Sequence, residues 1–98
     1  MGQNKSIEEI KQKVIPLLKE YKIIKAGIFG SYARGENKKR SDVDILVETA
    51  KGMDLLEFIH LKLMLQKAIK RKVDLVEYKL IRREIKKQVL NDEIRILQ

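Results

Sequence analysis

Three short apolar runs rich in β-branched residues, Ile23 to Phe29, Asp42 to Val47 and Val73 to Glu77, alternate along the chain with segments of helical period. No other feature constrains the fold as strongly, because runs this short suit strands, and strands separated by helices pack as one sheet with helices against it. Ahead of the first run, Ile7, Ile10, Val14, Leu17 and Leu18 recur at helical spacing and predict a helix to about Tyr21. Ser6 and Glu9 have the spacing of a reciprocal N-terminal cap, and Pro16, which lacks an N–H, predicts a kink or break inside the helix. Gly30-Ser31 ends the first strand, Tyr32 to Arg34 makes one helical turn before Gly35, and Glu36 to Ser41 reads as a polar loop. After a break at Gly52, Asp54 can cap a third helix that reaches about Ile69. A fourth, basic helix spans Ile81 to about Leu90, and Glu93 to Leu97 can add a short last strand. The expected order is α-β-α-β-α-β-α, an α/β (α+β) fold with a small mixed sheet flanked by helices.

At 98 residues, with 44% of them hydrophobic, residues 1–98 form a single domain near the lower limit of what one core supports. A second substrate must therefore be held by a loop, by another copy of the chain or by a different protein. The net charge of +8 favours anionic partners without choosing among phosphates, nucleic acid and acidic protein surfaces. With only 5% aromatic residues, stacking on single-stranded bases is not favoured. The absence of cysteine excludes disulfides and thiolate metal sites. No apolar run approaches the ~18 residues of a membrane span, and the N-terminus carries no signal-like segment, so a soluble cytoplasmic protein is expected. A charged fraction of 37%, rich in Lys, Ile and Leu without Cys or Trp, leans towards a heat-adapted source.

The chemistry concentrates in a few positions. Gly30 and Ser31 close a strand and open a helical turn, where a glycine lets the backbone approach a ligand and free N–H groups suit an anion such as a β- or γ-phosphate. Asp42 and Asp44 lie two apart on a strand, so both carboxylates emerge on one face about 7 Å apart along the chain, while Val43, Ile45 and Val47 point to the core. Like charges held so close repel unless a cation lies between them, and hard oxygen donors suit Mg²⁺. Asp74 interrupts the apolar run Val73 to Val76, an expensive position for a carboxylate without a partner. If its strand lies beside the second one, Asp74 joins Asp42 and Asp44 around one metal cluster; a buried pair with Lys72 is the bland alternative. Arg34 suits ordering of the loop, with phosphate contact as the alternative, and Lys38-Lys39-Arg40 suits either a solvated face or contact with the triphosphate or a partner. Arg82, Arg83, Lys86 and Lys87 form an exposed basic side of the fourth helix, with nucleic-acid contact as the alternative. His60 suits packing or surface.

Phe29-Gly30-Ser31-Tyr32-Ala33-Arg34-Gly35 followed by Ser41-Asp42-Val43-Asp44-Ile45-Leu46-Val47 resembles the signature of minimal nucleotidyltransferase domains of the DNA polymerase β-like superfamily: Gly-Ser, ten residues, then Asp-x-Asp. Lys72-Val73-Asp74-Leu75-Val76 is similar to that family's third-carboxylate strand. The resemblance implies that Gly30 and Ser31 bind the triphosphate, ATP favoured, and that Asp42, Asp44 and Asp74 ligate two Mg²⁺ ions and support attack of an acceptor hydroxyl on the α-phosphate. It further implies an antitoxin that transfers AMP to a HEPN-domain toxin encoded beside it. The alternatives are an antitoxin that only masks its toxin and a basic nucleic-acid-binding module. The apolar residues of the third helix spread almost around it, from Leu55 to Ile69, leaving a side for a partner or a homo-oligomer, with Met64 on it.

Overall fold

The computed structural model describes residues 7–36 and 42–98; Ser6 and its cap, Lys38-Lys39-Arg40 and Ser41 lie outside them. The elements run α1 (Ile7–Glu20), β1 (Lys25–Phe29), α2 (Gly30–Arg34), β2 (Val43–Glu48), α3 (Leu55–Ile69), β3 (Val73–Glu77), a 3₁₀ turn (Tyr78–Leu80), α4 (Arg83–Asp92) and β4 (Ile94–Leu97). This is the order expected from the sequence, including the last strand. Helix α1 runs through Pro16 as one helix, so the proline does not break it. Pro16 and Gln12, whose carbonyl loses its donor, are both exposed, so water can satisfy that carbonyl without breaking the helix.

The four strands form one sheet in the order β3-β2-β1-β4. β1 pairs antiparallel with β2 and β4, whereas β2 and β3 are parallel. A parallel pair needs a crossover, and α3 supplies it. Asp54 caps α3 reciprocally with Glu57, its side chain accepting from the Glu57 N–H at 2.8 Å. At the far end of α3, the Gln66 side chain accepts from the Val73 N–H at 3.0 Å and so fixes where β3 begins.

Helices α1 and α3 cover one face of the sheet. Ile10, Val14 and Leu18 from α1 and Leu61, Leu65 and Ile69 from α3 repeat every fourth position, and they pack on Ala26, Ile28, Val43, Ile45, Val47, Val73 and Leu75. Asp44, Leu46, Asp74 and Val76 have the opposite parity and face the other side, where α4 lies. Leu46 is fully buried there, outside the main core. The same face carries a strut that the sequence does not announce. A Cβ on Gly27 would meet the Glu93 carboxylate at 2.0 Å, so only glycine admits the Glu93 side chain across β1. Tyr78 donates its hydroxyl to Glu93, Arg95 donates to the same oxygen at 2.8 Å, and the Lys25 ammonium lies 4.4 Å from the Tyr78 ring centre. Burial, reinforced by the Glu93 hydrogen bond, pushes the Tyr78 phenol above its usual range. The strut ties the 3₁₀ turn to β1 and β4.

Leu55, Leu56, Ile59 and Leu63 of α3 remain exposed, as the spread of its apolar residues implies. Met64 is instead partly buried, so the free side centres on Leu56, Ile59 and Leu63. No described helix is long and apolar enough to cross a membrane.

Candidate active site

β1 and β2 bring the Gly-Ser turn against the Asp-x-Asp strand. Phe29 is the register partner of Asp44, so Gly30 begins where that carboxylate emerges. Gly30 has φ of +72°, and a Cβ there would meet Asp44 Oδ2 at 2.0 Å. Glycine is therefore required twice, for the left-handed backbone and for the room the carboxylate occupies. The sequence reading anticipated close approach at Gly30; the structure adds Asp44 as a neighbour it must make way for.

Helix α2 starts on Phe29, which has no side-chain capping hydrogen bond, so the first-turn N–H groups are left without an intramolecular side-chain acceptor at that cap. The turn closes behind them: Glu36 N–H donates to the Ser31 carbonyl at 2.8 Å, and Gly35, at φ +73°, donates to Tyr32 at 3.2 Å. Tyr32 is buried in the core and fixes the turn from beneath. Ser31 is partly exposed at the site. Arg34 donates to Glu36 at 2.9 Å and reaches Asp92 of α4 at 3.8 Å, contacts that tie the end of α2 to the start of the loop and to α4.

Asp44 and Asp74 are direct partners in the parallel β2–β3 register, so their side chains emerge side by side on the open face. Asp42 precedes β2 by one residue, on the parity of Asp44, and is exposed. Asp74 is exposed as well, because β3 is the edge of the sheet. The burial cost argued from its apolar neighbours therefore does not arise, since Val73 and Leu75 turn to the core and Asp74 turns away. Asp44 is half-buried, and its carboxyl is pushed up to about 6, first by burial, then by the charges of Asp74 and Asp42, with Arg34 opposing. Asp44 thus feels both neighbouring carboxylates through space.

Among the described residues, no group of three or more His, Cys, Asp or Glu side chains is placed to hold a metal ion by itself. The aspartates are an open array along two strands. Such an array suits a hard cation that completes its shell with substrate oxygens, as Mg²⁺ does with phosphates, and a cation would relieve the repulsion that adds to burial in raising Asp44. His60 stands apart from this site, its Nδ1 2.7 Å from the Tyr21 hydroxyl at the α1–α3 seam.

Beside Asp74 the open face forms an apolar cleft of about 220 Å³ between the sheet and α4, walled by Phe29, Leu46, Val76, Ile85 and Val89. Sequence reasoning missed these residues. A signal was present, because Leu46 and Val76 share the strand parity of Asp44 and Asp74 and so could not belong to the main core.

Comparison with known proteins places the chain among nucleotidyltransferases. The family model for polymerase beta nucleotidyltransferases matches residues 12–98. A Methanocaldococcus jannaschii protein assigned as a protein adenylyltransferase is 42% identical over 92 residues, covering 94% of this chain and 99% of that one. The structure of a protein described as a minimal nucleotidyltransferase superposes with a TM-score of 0.79 at 31% identity, over 95% of this chain and 98% of that one. A tri-AMPylated Shewanella oneidensis HEPN toxin in complex with MNT antitoxin is also similar, with a TM-score of 0.70 at 26% identity over 91% of this chain and 70% of that one. The chain belongs to the polymerase β nucleotidyltransferase family, as a minimal nucleotidyltransferase domain.

Proposed function

We propose that this chain is a protein adenylyltransferase that moves AMP from ATP to a hydroxyl of a HEPN-domain toxin and thereby serves as its antitoxin. The observation that carries the reading is the register pairing of Asp44 with Asp74, with Gly30 pressed against Asp44. Relatives of the same length named for protein adenylylation, and a similar chain bound to an AMPylated HEPN toxin, support the substrate class.

In this reading Gly30 and Ser31 receive the β- and γ-phosphates through backbone N–H groups and the Ser31 hydroxyl. Asp42, Asp44 and Asp74 would hold Mg²⁺, two ions in the full arrangement, which supplies charge neutralisation for the triphosphate and acidifies the acceptor hydroxyl. Asp44 stands between the phosphate turn on β1 and Asp74 on β3, so the α-phosphorus belongs above β2. The acceptor oxygen bonds to the α-phosphorus as the bond to the β-phosphate's bridging oxygen breaks, pyrophosphate leaves over the Gly-Ser turn, and the hydroxyl proton passes by way of the exposed Asp74 carboxylate to water. Arg34, tied to Glu36 and Asp92, holds the turn in place.

Incubation with α-labelled ATP, Mg²⁺ and the product of the adjacent gene, expected to be a HEPN-domain protein, tests the proposal. Label on that protein is the expected result. A stable complex without label would mean masking alone, and no complex with RNA retained would mean a nucleic-acid-binding module.

A further inference from the structure

Helix α4 has no buried residue, yet two successive side chains fix its C-terminal end. Glu93 enters the gap over Gly27, where its side chain is only 5% exposed and accepts from Tyr78 and Arg95. Asp92, one residue earlier, reaches the Arg34 guanidinium at the end of α2, at 3.8 Å. Arg34 also pairs with Glu36 at 2.9 Å, but Glu36 belongs to the same turn, its N–H bonded to the Ser31 carbonyl. A pair inside the turn cannot fix that turn relative to the sheet. Among the described residues, Asp92 is the one ion-pair partner that ties Arg34 to another element.

We propose that Asp92 is a positioning residue for nucleotide binding: through Arg34 it holds the Gly30-Ser31 turn in place for the triphosphate, and Glu93 in turn holds Asp92. The inference rests on the reading of Gly30 and Ser31 as the phosphate turn and adds what keeps that turn seated. Three observations carry it. Helix α2 has only five residues and no side-chain cap at Phe29, so it cannot hold its own orientation and depends on its neighbours. Buried Tyr32 seats it from the core, and the Arg34–Asp92 pair is the counterpart towards α4. The contacts run without a gap from Gly27 of β1 through Glu93, Asp92 and Arg34 to the turn. The pair also lies within electrostatic reach of the site, since burial and then Asp74 and Asp42 push the Asp44 carboxyl up while Arg34 opposes them. An exposed ion pair that was merely structural would leave nucleotide affinity untouched. Loss of one negative charge, taken alone, would favour an anionic ligand, so weaker binding on removal of the Asp92 charge can only come from positioning.

Calorimetry with a non-hydrolysable ATP analogue and Mg²⁺ tests it on the full chain, without the partner and without transfer, each variant first shown folded by circular dichroism. Asp92→Asn should raise the analogue's Kd about fivefold or more, because a misplaced turn loses several contacts at once. Asp92→Glu, whose carboxylate can still reach Arg34, should stay within about twofold of wild type. So should Glu84→Gln, which removes the same charge from an exposed position of the same helix. Arg34→Gln should weaken binding like Asp92→Asn, and the double variant should bind no more weakly than Arg34→Gln alone, because Asp92 acts through Arg34. Unchanged affinity in Asp92→Asn would overturn the proposal. Tighter binding would overturn it too, by showing that Asp92 withholds Arg34 from the triphosphate, and so would losses that add in the double variant. A wild-type chain that does not bind the analogue would sink the nucleotidyltransferase reading and this inference with it, whereas normal wild-type binding with an indifferent Asp92→Asn would sink the inference alone.

Discussion

Asp44 concentrates the site's electrostatic strain, and its consequences can be worked out in sign. Its carboxyl in the folded, metal-free chain titrates at about 6 against an ordinary 3.8. Below the ordinary value both states are protonated and nothing is lost. Between the two the folded state binds more protons, so stability falls as pH rises, and above the folded value the ionised carboxylate imposes a constant cost. Allowing for solvent screening at a half-exposed group, that cost is about 1 kcal/mol. In EDTA, Asp44→Asn should therefore melt at or slightly above wild type at pH 7, and the difference should vanish at pH 4. Thermal denaturation at both pH values measures this; a variant clearly less stable at pH 7 would contradict it. Ser31→Ala should weaken binding of an ATP analogue by about 1.5–3 kcal/mol, the loss of one hydrogen bond to a charged group, readable by calorimetry. Substitution of Gly30 is a poorer probe of phosphate approach, because a Cβ there displaces the Asp44 carboxylate. Gly27→Ala should cost about 1–3 kcal/mol, because the added carbon displaces Glu93 from Tyr78 and Arg95. A chemical-denaturation midpoint equal to wild type would show the strut to be dispensable. Gly27 illustrates what a sequence withholds: its reason lies in a glutamate 66 positions later, brought over it only when β4 pairs with β1.

Helices and strands were largely legible because each has its own period. The four-residue repeat of Ile10, Val14 and Leu18 and the alternation around Asp44 each name a buried face without knowledge of the rest. Pro16 does not break α1, because its effect depends on solvent access to the Gln12 carbonyl, which local sequence does not encode. Helix α3 was legible in extent and cap, and its surplus of apolar residues did leave a free side. Met64, expected on that side, is partly buried, and Leu56, Ile59 and Leu63 are its exposed members. Self-association is tested there. The chain should sediment heavier than a monomer at high concentration, and Leu63→Glu should return it to monomer while shifting stability by no more than about 0.5 kcal/mol, as for other exposed positions. A wild-type chain that stays monomeric throughout would remove the homo-oligomer.

Across the whole molecule, one face of the sheet buries the core and the other carries the proposed site. α1 and α3 bury the first face, and the second collects Asp44, Asp74 and an apolar cleft under a helix with no buried residue of its own. The sequence made the carboxylates legible because strand parity and the Gly-Ser spacing are local. It left the cleft unread because that depends on how α4 crosses the open face, a tertiary fact. The central claim is that the three aspartates act as a unit and that their unit is chemical, not structural. Its most direct test is the rate of label transfer from α-labelled ATP to the HEPN-domain partner in excess Mg²⁺, wild type against Asp44→Asn, with both shown folded. Wild type should transfer label, and the variant should lose at least about a hundredfold in rate with an undiminished melting temperature. A folded Asp44→Asn protein that labels its partner at the wild-type rate would contradict it.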